Sequence, residues 1–174
     1  MLADRGAAIR PGALWGPVPP PPPGWTWESL MDRALALARS NLARDEVPVG
    51  AVVVAADGRL IGEAANAPLG RNDPTAHAEV LALRAAGGSL GNCRLPGCVL
   101  VATLEPCLMC AGALVQARVE GLVYGALDAR AGAVVSRLHG LDLPRQEHRI
   151  WHMGGVRGQL CADLLRDFFA VRRN

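Results

Sequence analysis

Two short motifs, separated by a long stretch of chain, constrain the fold of this protein more than any other feature of its sequence. The first contains His77 and Glu79, and the second is the run Pro-Cys-Leu-Met-Cys at 106–110. Two cysteines three positions apart lie on the same side of a helix, so the distant histidine must come from a second element. Imidazole nitrogen and thiolate sulfur bind tetrahedral zinc, and three protein ligands leave one position open, as in catalytic sites. The sequence therefore predicts one zinc ion per chain, bound by His77, Cys107 and Cys110.

Glu79 is a carboxylate that this ligand set does not need. Taken separately, each fragment has an ordinary explanation: a lone histidine is usually structural, Cys-x-x-Cys serves redox pairs and structural zinc sites, and Glu79 suits a solvated helix face. Taken together, His-x-Glu and Pro-Cys-x-x-Cys form the signature of zinc-dependent nucleobase deaminases, whose glutamate acts as general acid and base. We therefore predict hydrolytic deamination by zinc-activated water, with Glu79 as the catalytic proton shuttle.

Composition narrows the class of protein. The 174 residues fit one deaminase domain, which we place at 26–174. A formal net charge of +2 is too small to indicate a broad nucleic-acid surface, so any RNA contact must be local. Five cysteines without disulfide-framework spacing, and the lack of a secretory segment, predict a cytoplasmic protein. No apolar run reaches the ~20 residues that span a membrane, so no membrane association is expected.

The first 25 residues differ in character from the rest of the chain. Five consecutive prolines at 19–23 lack backbone N–H donors and favour extended polyproline geometry. We therefore expect residues 1–25 to form a disordered Pro-rich leader.

Periodicity in the remaining sequence predicts an α/β fold. Helices are expected at 27–44, 73–86, 106–117 and 159–172, and strands at 49–55, 59–63, 99–104, 119–124 and 149–153. Asp57-Gly58 predicts an antiparallel hairpin between the first two strands, with a long loop after it. In the last helix, apolar residues at helical spacing are expected to face inward: Leu160, Leu164, Phe168 and Val171. This alternation favours a three-layer α/β/α sandwich with a central mixed sheet of about five strands.

Four stretches of sequence, at 46–51, 70–79, 103–113 and 167–173, resemble those of the bacterial tRNA-specific adenosine deaminases. The resemblance covers nearly everything after the leader. It implies a cytidine-deaminase-like fold, a homodimer, and hydrolysis of the wobble adenosine of a tRNA anticodon to inosine. The tRNA anticodon stem-loop is then the expected partner.

The resemblance also assigns roles to individual positions. It implies zinc binding by His77, Cys107 and Cys110, and proton transfer by Glu79. The substrate-binding residues that it implies are Asn66 on the flipped base, Val49 and Ala76 lining its pocket, and Asp128, Phe168, Arg172 and Arg173 at the RNA. The chain departs from the family pattern at Ala65 and Ala67, where one expected RNA contact is absent, and at Glu147, which brings a negative charge where the family usually has asparagine.

Two other functions fit part of the same pattern. A deaminase of a free base or nucleoside, of the guanine or cytosine type, shares the zinc signature and differs in substrate size. A catalytically silent, zinc-stabilised RNA-binding subunit would also keep the ligands. The presence of Glu79 argues against the silent subunit, because a structural zinc site does not need that carboxylate.

Overall fold

The computed structural model describes residues 18–143, 146 and 148–172, which form a five-stranded sheet covered by helices. The strands are β1 (Gly50–Val54), β2 (Leu60–Ala65), β3 (Val99–Leu104), β4 (Gly121–Ala126) and β5 (Trp151–Gly154). The helices are α1 (Trp27–Ser40), α2 (Pro68–Arg71), α3 (Ala78–Leu90), α4 (Leu108–Ala117) and α5 (Gly158–Val171), and a short 3-10 helix lies at Leu42–Arg44.

The sheet is mixed, with the strand order β2-β1-β3-β4-β5. The hairpin strand β2 and the central β3 both pair antiparallel with β1. The pairs β3–β4 and β4–β5 are parallel. Parallel neighbours need a crossover connection, which α4 supplies between β3 and β4. The predicted α/β class and mixed sheet are confirmed.

Alternate residues of the buried strands face two separate apolar layers. In β1, Ala51 and Val53 belong to the layer covered by α3 and α4, whereas Val52 and Val54 face α1 and α5. All four side chains are fully buried, which is why this strand is a continuous apolar run instead of an alternating one. The helices on both faces complete the predicted three-layer sandwich.

The first helix ends four residues before the predicted boundary at residue 44. Asn41 is the C-cap of α1, and its buried side chain donates its Nδ2 to the carbonyl of Asn66 at 2.7 Å. Asp45 then adopts a left-handed conformation with φ of 60°, which redirects the chain towards β1. Two further boundaries differ: the expected loop after the hairpin contains α2, and α4 begins at Leu108, beyond Pro106.

The prediction that four apolar residues of α5 face inward is wrong for two of them. Phe168 is buried and Leu164 is partly buried against the layer beneath α1, but Leu160 and Val171 are exposed. Cys161 is buried in their place. The buried stripe therefore begins one residue later than the sequence pattern indicates.

The structure describes part of the segment that we assigned to the leader. Residues 18–25 lie against the domain, where Trp25 packs on the α1 layer and its indole Nε1 donates to the carbonyl of Gly58 at 2.8 Å. Residues 1–17 lie outside the described residues, and the domain boundary at 26 stays a prediction. Across the described part of the chain, none of the helices is long and apolar enough to cross a membrane.

Candidate metal centre and base-binding cavity

Two helix N-termini bring three metal-ligating side chains together. His77 is the N-cap of α3 and Cys107 is the N-cap of α4, and both have extended backbone conformations. Cys110 lies in the first turn of α4 and is fully buried. The Nδ1 atom of His77 is 3.7 Å from the Sγ of Cys107 and 3.5 Å from the Sγ of Cys110, and the two sulfurs are 3.7 Å apart. Within the described residues, this is the group of histidine, cysteine and carboxylate side chains close enough to bind a metal ion.

The geometry of these three atoms fits zinc. Zn–S bonds of about 2.3 Å and Zn–N bonds of about 2.0 Å, at tetrahedral angles, separate two sulfurs by about 3.8 Å and a nitrogen from a sulfur by about 3.5 Å. The observed separations of 3.5 to 3.7 Å match this triangle without rearrangement. One imidazole and two sulfurs therefore occupy three corners of a zinc-sized tetrahedron, and the fourth corner has no protein ligand within the described cluster.

The position of His77 explains how it shares a site with Glu79. Two residues apart on a regular helix would point about 200° away from each other. His77 precedes the helix and has an extended backbone, with φ of −69° and ψ of 150°. The helical rotation between successive residues therefore does not fix the direction of its side chain. The first turn of α3 then carries Glu79 into the same space.

The protonation of the two cysteines depends on their mutual contact. Hydrogen bonding to the Cys110 sulfur and to His77 lowers the pKa of the Cys107 thiol to about 4, against the opposing effect of burial. The same contact and burial raise the pKa of Cys110. The hydrogen bond to Cys107 raises the pKa of His77. A thiolate is therefore already favoured at Cys107, which is the form that binds zinc.

Glu79 is a carboxyl group enclosed by protein. Its side chain is 4% exposed, and this burial raises its pKa above the ordinary value for glutamate. A raised pKa brings the carboxyl closer to the point at which it both accepts and donates a proton near neutral pH. The environment of Glu79 thus suits proton transfer.

A cavity of about 180 Å³ opens beside these side chains. It is lined by His77, Glu79 and Cys107, together with Val47, Val49, Asn66, Leu104, Glu105, Asp128 and Ala131. Cavities for drug-sized ligands are larger, at roughly 300–1,000 Å³, so this one suits a single flat ring system. Three of the predicted substrate-binding residues, Val49, Asn66 and Asp128, thus share the cavity with two of the three predicted metal ligands, His77 and Cys107. Ala76 is fully buried immediately before His77.

The predicted RNA contacts in α5 lie in a different cluster. Phe168 is 5% exposed, whereas its neighbour Phe169 is 43% exposed. The Arg172 guanidinium forms an ion pair with Asp45, donates to the Phe168 carbonyl at 3.2 Å and lies 3.6 Å above the Phe168 ring. Arg173, and Glu147 among the departures, lie outside the described residues. Of these aromatic residues, Phe169 is therefore the more accessible, which the sequence pattern did not indicate.

Sequence reasoning assigned no role to Glu105, which lies two residues before the first cysteine ligand. Its carboxylate is buried and lines the cavity. Burial raises its pKa, but hydrogen bonds from the Ser136 hydroxyl and from backbone N–H groups outweigh that effect, and the net pKa lies below the ordinary value. The signal available in the sequence was weak: a charged residue that ends an apolar strand.

Comparison with known proteins decides the family. Residues 26–126 match the cytidine and deoxycytidylate deaminase zinc-binding region. The chain belongs to this deaminase family. The match covers both motifs of the metal centre and supports the zinc assignment reached from the geometry.

Several proteins similar to this zinc-dependent deaminase bear names that concern tRNA. It is 43% identical to the tRNA-specific adenosine deaminase of Haemophilus influenzae, over 84% of each chain. A solved structure of a tRNA:A34 deaminase, studied for A-to-I editing at the wobble position, is 44% identical with a TM-score of 0.76 and covers 79% of this chain and 99% of its own. These full-length relatives place the deaminase among the tRNA-specific adenosine deaminases.

Two further similar proteins have names that differ from those of the tRNA-specific adenosine deaminases. The guanine deaminase of Nitrosomonas europaea is 30% identical, with a TM-score of 0.70 over 82% of this deaminase and 84% of that chain. The tRNA(Ile)-lysidine synthase of Deinococcus deserti is 48% identical over 146 residues, but this deaminase spans only 27% of its length. The name of that longer protein therefore gives no activity to the matched segment.

Proposed function

We propose that this chain hydrolyses the wobble adenosine of a tRNA anticodon to inosine and ammonia, with one zinc ion per chain bound by His77, Cys107 and Cys110. The observation that carries the proposal is the buried Glu79 carboxyl beside the three donor atoms, in a cavity of single-base size. The names of the tRNA-specific relatives support adenosine in tRNA as the substrate.

The chemistry divides between the metal and Glu79. A zinc ion held by His77, Cys107 and Cys110 would supply Lewis-acid activation of water for attack on C6 of adenine at neutral pH. Glu79 accepts the proton that the attacking water loses and transfers it to N1 of the ring. It then takes the proton of the new C6 hydroxyl group and delivers it to the C6 amino group, which leaves as ammonia when the C–N bond breaks and the C6 carbonyl of inosine forms.

The walls of the cavity hold the base for this attack. Asn66 offers both a donor and an acceptor to the edge of the ring, and its backbone is fixed on two sides. Its N–H donates to the Val49 carbonyl at 2.9 Å, and its carbonyl accepts from Asn41 at 2.7 Å. We assign Val49 and Ala76 to the apolar wall of the base pocket.

Contacts to the anticodon loop complete the proposal. An anticodon loop presents unpaired bases, so extrusion of one base costs less than from a duplex. We assign Asp128, Phe168, Arg172 and Arg173 to the RNA interface. The small net charge of +2 is sufficient because these contacts are local. We further propose that the enzyme is a cytoplasmic homodimer, which light scattering of the purified protein would test by giving twice the chain mass.

The decisive experiment compares two substrates on zinc-loaded protein. We expect conversion of adenosine to inosine in an anticodon stem-loop whose anticodon begins with A, and no ammonia from free guanine. Glu79→Gln should keep about one zinc per chain and lose turnover by at least about a hundredfold, since general acid–base catalysis contributes about 10²–10⁴-fold. Glu120→Gln, at an exposed glutamate, is the matched control and should behave as the wild type.

The results separate the alternatives. The similarity to guanine deaminase makes free guanine the competing substrate. Ammonia released from guanine, with an unreacted stem-loop, would reject the tRNA assignment. Zinc binding without turnover of either substrate would instead identify a silent subunit.

A further inference from the structure

Glu105 is a buried carboxylate whose hydrogen-bond donors, among the described residues, come from one segment of the chain. The residue is 1% exposed and follows β3 directly. Its Oε1 accepts from three successive backbone N–H groups, those of Val134 at 3.0 Å, Val135 at 2.8 Å and Ser136 at 2.9 Å. Its Oε2 accepts from the backbone N–H of Asp128 at 3.1 Å and from the Ser136 hydroxyl. Both oxygens therefore act as acceptors for residues 128–136.

The segment 128–136 follows β4 and forms one wall of the cavity. It consists of turns, with a single bridge between Gly132 and Cys107. Asp128 and Ala131 carry it to the cavity that His77 and Glu79 also line. Such a segment lacks the repeated ladder of a strand or helix, so its conformation depends on a few specific contacts.

Close packing reinforces the carboxylate contacts. The Ala133 N–H donates to the carbonyl of Pro106 at 2.8 Å, one residue from the metal ligand Cys107. A Cβ atom on Gly132 would collide with the carboxyl group of Glu105 and lie 2.6 Å from the Asp128 carbonyl oxygen. Glycine is therefore needed for the segment to approach Glu105 so closely.

We propose that Glu105 is a positioning residue for substrate binding, which acts by holding the 128–136 segment as the wall of the base cavity. The proposal rests on the deaminase function proposed above and adds a residue to it. Glu105 contacts the segment, and the segment contacts the substrate. Its loss should weaken binding more than the chemical step, because the wall touches the substrate away from the reacting C6 atom.

The substitution Glu105→Gln tests the positioning role selectively. In Glu105→Gln, the amide oxygen keeps the three donors at 134–136, while the amide NH₂ faces the N–H of Asp128, and two donors cannot bond to each other. The Ser136 hydroxyl can rotate to accept from the amide. The substitution therefore releases Asp128 and leaves most of the segment bound.

Gly132→Ala perturbs the same contact from the opposite side. The added methyl group displaces the segment from Glu105 without changing any charge. If both substitutions act on one contact, their effects on KM should be less than multiplicative in the double variant. This variant also keeps the proposal testable if Glu105→Gln does not fold.

The experiment measures steady-state kinetics on the anticodon stem-loop, zinc content and amide hydrogen exchange. For Glu105→Gln and for Gly132→Ala, we expect KM to rise about tenfold, kcat to change less than about twofold, and zinc to stay bound. Amide hydrogen exchange should accelerate about tenfold at Asp128 in Glu105→Gln and within 128–136 in Gly132→Ala, and it should stay unchanged in β1 in both variants. Glu120→Gln, the exposed control, should change neither kinetics nor exchange.

The outcomes are distinct. Unchanged KM and unchanged exchange at 128–136 would overturn the inference, as would a loss of kcat that merely follows a loss of thermal stability. If the wild type does not react with the stem-loop, the proposed function fails, and the exchange data alone decide whether Glu105 holds the segment. In that case, unchanged exchange in both variants would also reject the role of Glu105.

Discussion

The side chain of Asn41 donates its Nδ2 to the backbone carbonyl of Asn66 at 2.7 Å, in the buried interior. Asn41 lies just beyond the end of α1, and Asn66 lines the base cavity. The same Nδ2 donates to the Val47 carbonyl at 3.3 Å. One buried side chain at the end of the first helix therefore holds the backbone of Asn66, which forms part of the cavity wall.

Asn41→Ala should destabilise the protein and weaken substrate binding. It leaves the carbonyls of Asn66 and Val47 without that donor, at a cost of about 1–3 kcal/mol. Urea unfolding should show this loss, and KM for the stem-loop should rise because Asn66 is less well held. Asn92→Ala, which removes an acceptor for Arg94 N–H at an exposed turn, is the control and should cost less than about 0.5 kcal/mol. Equal effects of the two substitutions would contradict the assignment.

The metal centre should contribute to folding as well as to catalysis. Cys110→Ser replaces a buried sulfur that we propose as a zinc ligand, so we expect loss of zinc and a lower melting temperature for the purified protein. Cys93→Ser, at an exposed cysteine, should keep zinc and stability. Zinc content by elemental analysis and thermal unfolding provide the measurements. Full zinc binding by Cys110→Ser would exclude this residue as a ligand.

The two glycines Gly50 and Gly88 predict opposite effects of the same substitution. A Cβ on Gly50 would collide with the Ala34 carbonyl oxygen and lie 2.8 Å from the Ala38 nitrogen, where α1 crosses β1. Gly50→Ala should therefore cost about 1–3 kcal/mol or more. Gly88 lies within α3 with open space around it, so Gly88→Ala should stabilise by about 0.5–1 kcal/mol. Chemical denaturation measures both, and a neutral Gly50→Ala would contradict the observed close packing.

The ion pair between Arg172 and Asp45 predicts a measurable competition with RNA. If Arg172 contacts a phosphate, Asp45 opposes that contact by holding the guanidinium. Asp45→Asn should then raise affinity for the stem-loop, by up to about fivefold, since exposed ion pairs contribute about 0.2–1 kcal/mol. Asp57→Asn, which removes the exposed pair with Arg59, is the control. Binding titrations at two salt concentrations test this, and unchanged affinity in Asp45→Asn would remove Arg172 from the interface.

The buried His152 should make the folding stability of the protein depend on pH. Burial lowers the pKa of His152, with His139 acting in the same direction and with Asp142 and Glu105 opposing the shift. The unfolded chain therefore binds a proton more readily than the folded chain, so the stability contributed by neutral His152 is lost as pH falls below about 6.5, the unfolded value.

The measurement is the slope of the unfolding free energy between pH 7 and pH 5. We expect a smaller loss over this range in His152→Gln than in the wild type, whatever the stability of the variant at pH 7. Acidic groups that do not interact with His152 contribute equally to the two slopes. Identical slopes would show that His152 does not titrate as its burial requires.

Much of the catalytic apparatus was accessible from local sequence. The spacing of Cys107 and Cys110, and the helix-start residues before His77, predict side chains that converge at helix N-termini. β-branched runs predicted the strands, because a strand buried on both faces needs apolar residues throughout. These inferences work because ligand type, spacing and periodicity are properties of a few neighbouring residues.

The sequence by itself predicted the donor atoms of the metal centre, the carboxyl that we propose as proton shuttle, and the order of the five strands and the four longer helices. Only the tertiary structure decided which distant groups meet: Glu105 with the amides of 128–136, Asn41 with Asn66, and Arg172 with Asp45. It also decided that Leu160 and Val171 lie exposed despite their helical spacing. The physical reason is that a buried polar group takes its partner from whichever segment the topology brings within hydrogen-bond distance, and nothing in its own sequence neighbourhood specifies that segment.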